Sequence, residues 1–455
     1  MRPVKTVVNR VFLALGLITL LVMVLLFIGF RWGLTPLPKP PVGVRIEPLT
    51  PPITSADLQT DNGAFFYMKA VALMRARKWS KESKEQIEAL TVGLISGDTN
   101  AIGQTLIEVQ PALDLVREGS HAQSCQMPLI NISEDTNSLS MLRQLARLLV
   151  ADGKWVERNG NSGRAADDYL AAIKFGADCS KGGALIQSLV GDAIVSMGAP
   201  AIRTWVLQSA NSSDDINAMM EKLDGIASQR TPLTEALRYE LDDTKKMVDR
   251  QFSERAVFHG GLVSRRAIAA YFDAAFGELV QDAERPFWQS NSKAITEKWV
   301  SDKPTWSVMF NRPIPHILLS ICIPATRSAQ VKAVRTDVEL KATEVVCALK
   351  SYELAHGSPP ETLSALIPGL LPSVPIDPFD GKPLRYRRKG KEWVLWSVGS
   401  DMKDDNAAWH EYKYRSSGEV RRGGDIYFKS TEPQDDLAWE SAHTSRASSA
   451  KTSTQ

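Results

Sequence analysis

The chain has 455 residues, with 54 lysines and arginines against 52 aspartates and glutamates, a formal charge of +2. This length predicts two or three domains. The near balance of charge argues against a nucleic-acid-binding protein, which needs a clustered basic face. The four cysteines (Cys125, Cys179, Cys322 and Cys347) are widely spaced without a CxxC pair, which argues against a zinc site. Buried free thiols are the simplest interpretation, and one disulfide in an exported domain is the alternative.

The N-terminus carries the strongest physical signal. Residues 11–30, VFLALGLITLLVMVLLFIGF, contain no charge. A helix of that length spans about 30 Å, the thickness of the hydrocarbon core of a bilayer. Arg2, Lys5 and Arg10 precede the run, which predicts a cytoplasmic N-terminus, residues 1–10. We predict an uncleaved transmembrane helix with the rest of the chain outside the cytoplasm; a cleaved signal peptide is the alternative.

Residues 31–57 follow as a proline-rich linker. Seven prolines between Leu34 and Asp57 predict a stiff, extended spacer, because proline fixes φ and lacks an amide donor.

Residues 58–325 have a mainly helical pattern. In LSMLRQLARLLVADGKW, Leu142, Leu145, Leu148 and Leu149 form one apolar stripe. The next segment, NSGRAADDYLAAIKFGADC, has a second stripe. Its members are Ala166, Tyr169, Leu170 and Ile173. The pair weakly resembles one tetratricopeptide-type hairpin, but no repeat with a period of about 34 residues follows. We therefore predict an irregular α-helical domain.

The pattern changes after Pro324. TRSAQVKAVRTDVELKATEVVCALKSYELAHG reads as one long helix ended by Gly357. Three short strands are predicted beyond it, in LRYRRK, KEWVLWSVG and GDIYFKS. The polar residues 430–455 are typical of a disordered tail.

The order of features from the end of this helix to residue 428 resembles the C-terminal domain of the type II secretion major pseudopilin. That family has a Tyr…Gly-x-x-Pro helix end, a Pro-x-Asp-Pro-Trp-Gly-x-Pro segment, a Ser-x-Gly-x-Asp strand end and a terminal Asp-Ile. The matching residues here are Tyr352, Gly357, Pro360, Leu371, Pro372, Pro375, Asp377, Pro378, Gly381, Pro383, Tyr386, Ser397, Gly399, Asp401, Asp425 and Ile426, with Phe379 in place of tryptophan. The resemblance implies a pilin-like α+β domain over residues 326–429, with a long helix and a small antiparallel sheet.

Two features depart from that family. Gly29-Phe30 lies at the far end of the apolar run and no glutamate follows at the family's position, so no prepilin peptidase site is evident. The helical region also separates the anchor from the pilin-like helix. We therefore expect a pilin-like head on an anchored helical protein and no assembly into a pilus.

The resemblance also implies a calcium site, because the family binds calcium in the loop after the Ser-x-Gly-x-Asp strand end. The candidate ligands are Asp401, Asp404, Asp405 and Asp425, hard oxygen donors of the kind that calcium prefers. The spacing is not that of an EF-hand. About 19 residues, 406–424, are inserted before Asp425 and could move it away, and the arginines of the insertion could neutralise the acids. An ordinary solvated turn is the alternative.

No catalytic motif accompanies these features. The six histidines are scattered, and no GxSxG, GxGxxG or phosphate-binding loop is present. We predict a non-enzymatic structural or interaction protein of the cell membrane, with envelope or secretion-machinery proteins as partners and no nucleic acid. Two alternatives stay open: a helical scaffold that recruits envelope proteins, and an exported enzyme with its active site in the tryptophan-rich residues 260–315.

Overall fold

The computed structural model describes residues 39–85, 99–130, 135–208, 210–251, 255–258, 261–299, 313–407, 409–413 and 420–430. The predicted anchor, residues 11–30, and the predicted tail beyond residue 430 lie outside these ranges. The chain forms two compact units, each built from separate stretches of sequence. One comprises residues 1–47, 241–282 and 291–327, and the other comprises residues 48–240, 283–290 and 328–455.

The described residues are mostly helical. The helices are α1 (Gly63–Arg75), α2 (Thr99–His121), α3 (Thr136–Arg158), α4 (Ser162–Cys179), α5 (Leu185–Gln208), α6 (Ser213–Ser228), α7 (Leu233–Gln251), α8 (Arg265–Ala283), α9 (Ser292–Trp299) and α10 (Pro313–His356). The strands are β1 (Arg255–Phe258), β2 (Gly261–Ser264), β3 (Arg385–Lys389), β4 (Glu392–Ser397), β5 (Trp409–Lys413), β6 (Val420–Gly424) and β7 (Ile426–Lys429). They form an antiparallel sheet in the order β3-β4-β7 and two separate hairpins, β1-β2 and β5-β6. The predicted combination of helices with a small antiparallel sheet is confirmed at this level.

Helices α3 and α4 form where the two apolar stripes predicted them. Asp135 and Asn161 cap the two helices by accepting a backbone hydrogen bond three residues ahead. The predicted stripe residues of both helices are buried. Gly153 of α3 allows a close approach, since a Cβ there would lie 2.5 Å from the ring of Tyr169.

Helix α5 is the most apolar helix in the described ranges. Among those residues it alone is long and apolar enough to cross a membrane, but 72% of its most apolar window is buried inside the protein. It packs on α4 at a glycine pair, Gly176 and Gly191, where each position faces a backbone atom of the other helix. Burial against neighbouring helices accounts for its composition.

Residues 48–57 of the predicted linker are docked onto the folded chain. Glu235 accepts hydrogen bonds from the amides of Leu49 (2.8 Å) and Thr50 (3.4 Å), and Tyr239 donates to the carbonyl of Thr50 at 2.5 Å. The amide of Leu129 donates to the carbonyl of Ile53 at 3.1 Å. This part of the predicted spacer is therefore packed against the helical region instead of standing apart from it, and its residues Ser55–Asp57 form a 3₁₀ turn.

Helix α10 begins earlier than its sequence pattern indicates. It runs from Pro313 and includes Pro315 and Pro324, so it passes through the predicted boundary between residues 325 and 326. Its end is as predicted: Gly357 has φ +78° and its amide donates to the carbonyl of Glu353 at 2.7 Å. Prolines near a helix start remove amide donors that have no partner in the first turn, so Pro315 is compatible with this start.

A five-residue stretch in the C-terminal half of α10 is buried on all sides. Residues 345–349 are each fully buried, and they share one hydrophobic core with α5, α6 and the β3-β4-β7 sheet. Ser213 at the start of α6 lies 2.6 Å from Ser351, Oγ to Oγ. Arg230, just beyond the end of α6, forms ion pairs with Asp192 (2.5 Å) and Asp337. Helix α6 therefore runs antiparallel along α10.

The carboxyl of Glu344 on α10 makes stability depend on pH. Burial, and then the negative charge of Asp224 on α6, raise its pKa to about 7. A carboxyl with a higher pKa in the folded chain stabilises the fold when protonated. Its contribution is complete below the ordinary pKa of 4.5 and is lost as the pH rises through about 7. We expect this group to lower the unfolding free energy by about 1–2 kcal/mol between about pH 5 and pH 8.

Urea unfolding of the Glu344→Gln variant at several pH values measures this contribution. The variant should lose that part of the pH dependence, because glutamine keeps the neutral form at every pH. Glu221→Gln, at an exposed position of α6, is the matched control. Equal pH dependence in the two variants would contradict the assignment.

Candidate metal centre

The acidic loop begins where strand β4 ends. Gly399 has φ +68°, a conformation that favours glycine, and it starts a short 3₁₀ turn that ends at Asp401. Met402, Asn406 and Ala407 also have positive φ values of 58°, 58° and 65°. Such conformations are uncommon for residues other than glycine and asparagine, so contacts elsewhere must hold this loop in place.

Asp425 provides the main contact. Its Oδ2 accepts hydrogen bonds from the amides of Asp405 (3.0 Å) and Ala407 (2.7 Å). The residue is only 5% exposed. The insertion between residues 406 and 424 therefore does not move Asp425 away from the loop. Strands β5 and β6 form a hairpin within it that leads the chain out and back to the same place.

The other oxygen of Asp425 has no donor. Oδ1 is buried and accepts no hydrogen bond from the described residues. Burial raises the pKa of this carboxyl, the two amide hydrogen bonds oppose the rise, and the charges of Asp404 and Asp405 add to it. A buried carboxylate oxygen without a donor is costly in a protein, and a cation is one partner that would satisfy it.

Asp404 lies on the loop with its carboxylate held by neighbours. Its Oδ1 accepts from the indole of Trp396 and from the amide of Asn406, each at 3.0 Å. Its Oδ2 lies 3.6 Å from Nε of Arg385. Burial opposes ionisation of this group, but these hydrogen bonds and the guanidinium together hold the pKa of Asp404 below its usual range. Asp404 is therefore a stably ionised carboxylate beside Asp425.

Asp401 and Asp405 contribute differently. Asp401 accepts one hydrogen bond, from the amide of Lys403 at 3.2 Å, and is partly exposed. The backbone amide of Asp405 donates a hydrogen bond to Oδ2 of Asp425. Across the described residues, no three histidine, cysteine, aspartate or glutamate side chains are grouped as a metal cluster. The four candidate ligands share one loop and its closing residue, and only Asp425 presents a buried oxygen without a donor.

A buried ion pair near the loop was not among the candidate residues predicted from the sequence. Asp377 is fully buried and accepts from the amides of Phe379 (3.0 Å) and Val398 (2.9 Å) and from the hydroxyl of Ser397 (2.9 Å). Arg385 donates to it at 3.0 Å. Arg385 also joins Asp377 to Asp404 of the loop.

The donor set suits calcium better than a transition metal. The loop offers carboxylate and carbonyl oxygens, which are hard ligands, and calcium accepts them in irregular geometry. Asp425 would supply a fixed oxygen, Oδ1, while Asp401, Asp404 and Asp405 supply further carboxylates from the adjoining loop. The interaction of Asp404 with Arg385 competes with this use of Asp404. Among the described candidate ligands, Asp425 is the one with a buried oxygen open to a cation, and no three of them are grouped around it.

Of the described tryptophans within residues 260–315, Trp299 packs against other side chains, whereas Trp288 is 40% exposed. Trp299 is buried, contacts the ring of Tyr271 edge-on, and donates to Glu278 at 3.0 Å. In the other unit, Trp288 lies over Gly381, where a Cβ would come within 2.7 Å of the indole. Trp306 lies outside the described residues. The contacts of Trp299 are those of a packing residue.

No protein-family model, curated protein or solved structure matches the chain. The pseudopilin resemblance therefore depends on the motif residues themselves.

Proposed function

We propose that the protein is a single-pass membrane protein with a structural or interaction role outside the cytoplasm. Its helical region carries a pseudopilin-like head, residues 326–429, that binds calcium through Asp401, Asp404, Asp405 and Asp425. The partners are envelope proteins, including those of secretion machinery. The observation that carries this proposal is the buried Oδ1 of Asp425, which has no donor among the described residues.

Three further features support the calcium site. Asp425 is held in place by two amides of the acidic loop, so its position is set before a ligand binds. Burial, and then the charges of Asp404 and Asp405, raise the pKa of this carboxyl, so a cation would relieve repulsion among these carboxylates. Strands β3, β4 and β7 supply a rigid antiparallel support directly below the loop.

Calcium titration of the full-length protein in detergent, followed by thermal unfolding, tests the site. A ligand that binds only the folded chain stabilises it by mass action, so we expect the melting temperature to rise by roughly 3–6 °C well above the dissociation constant. Magnesium should have a smaller effect, because it demands a regular octahedral site and releases water reluctantly.

Asp425→Asn should abolish the calcium response, because it removes the charge at the anchoring ligand. Asp61→Asn, at an exposed aspartate remote in sequence, is the matched control and should respond as the unmodified protein does. If Asp425→Asn still responded to calcium, the assignment of Asp425 as a calcium ligand would be wrong. An absent response in the unmodified, folded protein would remove calcium from the proposal.

Membrane association is tested separately. We expect the full chain to remain with membranes after alkaline carbonate extraction, because the 20 uncharged residues 11–30 are long enough to span a bilayer. A variant that lacks residues 1–32 should appear in the soluble fraction. If alkaline carbonate released the full chain from membranes, the proposal that residues 11–30 form a transmembrane anchor would be contradicted.

A further inference from the structure

Two cysteines of the helical region lie at the same end of helix α4. Cys179 is the last residue of α4, and Cys125 lies in the segment between α2 and α3. That segment packs beside the end of α4, because the amide of Met127 donates to the carbonyl of Lys181 at 2.8 Å. Met127 and Lys181 each lie two residues past one of the cysteines. The backbone around Cys125 therefore runs next to the backbone that follows Cys179.

Helix α1 provides a second link between these two segments. Tyr67 of α1 reaches the end of α4: its ring lies 4.6 Å from that of Phe175, centroid to centroid, and its hydroxyl donates to Asp178 at 2.9 Å. Cys179 directly follows Asp178 and lies one helical turn beyond Phe175. The end of α4 that carries Cys179 therefore packs on Tyr67.

Cys125 packs on the same part of α1, one helical turn before Tyr67. A Cβ at Gly63 would lie 3.5 Å from the Cβ of Cys125, and the amide of Gly63 donates to the carbonyl of Ser124 at 2.9 Å. Both cysteine side chains pack into the same hydrophobic core. Cys125 and Cys179 therefore approach one stretch of α1, residues 63–67, from its two neighbouring segments.

The electrostatics of the two thiols agree with this placement. Burial raises the pKa of the Cys179 thiol, and a charge on Cys125 raises it further, by more than the adjacent carboxylate of Asp178 does. Burial and the charge of Asp178 also raise the pKa of Cys125, whereas the ammonium groups of Lys181 and Lys174 oppose that rise. Both cysteines are free thiols in the structure, Cys179 fully buried and Cys125 half-buried. The pair therefore combines one thiol that a reagent can reach with one that is buried beside it.

The other two cysteines are placed differently. Cys347 is fully buried in α10, where burial and then the charge of Glu344 raise the pKa of its thiol. Cys322 belongs to the other compact unit. Among the described side chains, Cys125 and Cys179 are therefore the cysteine pair that the fold brings together.

We propose that Cys125 and Cys179 form one disulfide in the folded protein. Its formation in cells rests on the proposed location outside the cytoplasm, where conditions are oxidising. The bond would join the segment before α3 to the end of α4. It would close a loop that contains α3 and α4, so it would restrict the unfolded chain and thereby stabilise the folded one.

The reaction uses an oxidant that itself carries a disulfide, such as oxidised glutathione or an exported thiol oxidoreductase. The Cys125 thiolate attacks one sulfur of that disulfide, which forms a mixed disulfide and releases one thiolate of the oxidant. The Cys179 thiolate then attacks the sulfur of Cys125 and releases the second thiolate of the oxidant. The two cysteines lose two protons and two electrons in total. The electrons reduce the oxidant, and its two thiolates take up the protons.

Treatment of the reduced, full-length protein in detergent with oxidised glutathione tests the pairing. Trypsin releases Cys125 in residues 118–143 and Cys179 in residues 175–181. We expect mass spectrometry to recover these two peptides as one linked species, lighter by two hydrogen atoms than the two reduced peptides together. Four free thiols after oxidation, a stable glutathione adduct on Cys125, or a link to Cys322 or Cys347 would each overturn the proposal.

Thermal unfolding of the oxidised and the reduced protein gives a second measure. We expect the oxidised form to melt roughly 5–10 °C higher. Cys125→Ser, at the half-buried position, should abolish this difference. Cys347→Ala is the matched control and should keep both the linked peptides and the difference in melting temperature. An equal rise on oxidation of Cys125→Ser would overturn the proposal, because oxidation would then act at another site.

The thiol state of the protein in cells separates this inference from the proposed function. Linked peptides from protein whose free thiols are blocked at lysis support both the pairing and the location outside the cytoplasm. If the cysteines are free in cells and link only with added oxidised glutathione, the pairing stands and that location is contradicted. If oxidised glutathione produces no link in the purified protein, the pairing is wrong whatever the location.

Discussion

Replacing Gly176 with alanine should destabilise the protein by about 2–4 kcal/mol. A Cβ at this position would lie 2.7 Å from both the carbonyl oxygen of Gly191 and the amide nitrogen of Val195. Both atoms belong to the backbone of α5, so no side-chain rotation can relieve the overlap, and α4 and α5 must move apart. Urea unfolding of the unmodified protein and the variant measures the difference.

Gly163→Ala is the matched control. It lies in the first turn of the same helix, α4, and a Cβ there would meet nothing within 4 Å. Alanine has a higher helix propensity than glycine, so this variant should be unchanged or more stable by up to about 1 kcal/mol. Equal stabilities for the two variants would show that Gly176 is not a point of close contact.

Asp377→Ala should cost about 3–5 kcal/mol of stability. The fully buried carboxylate accepts from two amides, one hydroxyl and the guanidinium of Arg385. Alanine would leave these donors without their acceptor and deprive a mostly buried arginine of one of its ion pairs. Thermal and urea unfolding in EGTA would measure the loss, and the sheet residues of the head should be the first to lose protection from hydrogen exchange.

Asp401→Ala provides the comparison in the same part of the chain. Asp401 is partly exposed and, among the described residues, accepts one hydrogen bond, from the amide of Lys403. Its replacement should change stability in EGTA by about 0.5 kcal/mol or less. A loss as large as that of Asp377→Ala would mean that the acidic loop, and not the buried turn, supports the head.

Local patterns identified many elements of the fold. The leucine stripe of α3 and the alanine-rich stripe of α4 have the helical period, and both are buried as predicted. The strands β3, β4 and β7 lie within the three segments whose composition indicated them. Gly357 ends α10 where expected. Such features depend on residues a few positions apart, which is the range over which hydrophobic period and capping act.

Other elements escaped these patterns for identifiable reasons. The start of α10 at Pro313 was missed because proline normally argues against a helix interior. Helix α8 lies within the predicted helical region, but its own bounds were not predicted because its apolar and small residues lie on several sides and give no single stripe. The β5-β6 hairpin lies within residues 406–424, which read only as an insertion. In each case the surrounding structure outweighs a weak or contrary local signal.

The candidate site also combines features that the sequence predicts with features that only the structure shows. The sequence by itself determined the ligand chemistry, since Asp401, Asp404 and Asp405 follow a strand end and Asp425 precedes the next strand. Only the tertiary structure decided that Asp425 returns to the loop, that Arg385 joins Asp377 to Asp404, and that Gly176 meets Gly191. These contacts join residues distant along the chain or on separate elements. Their geometry follows from how whole helices and strands pack, whereas local sequence preferences act over only a few residues.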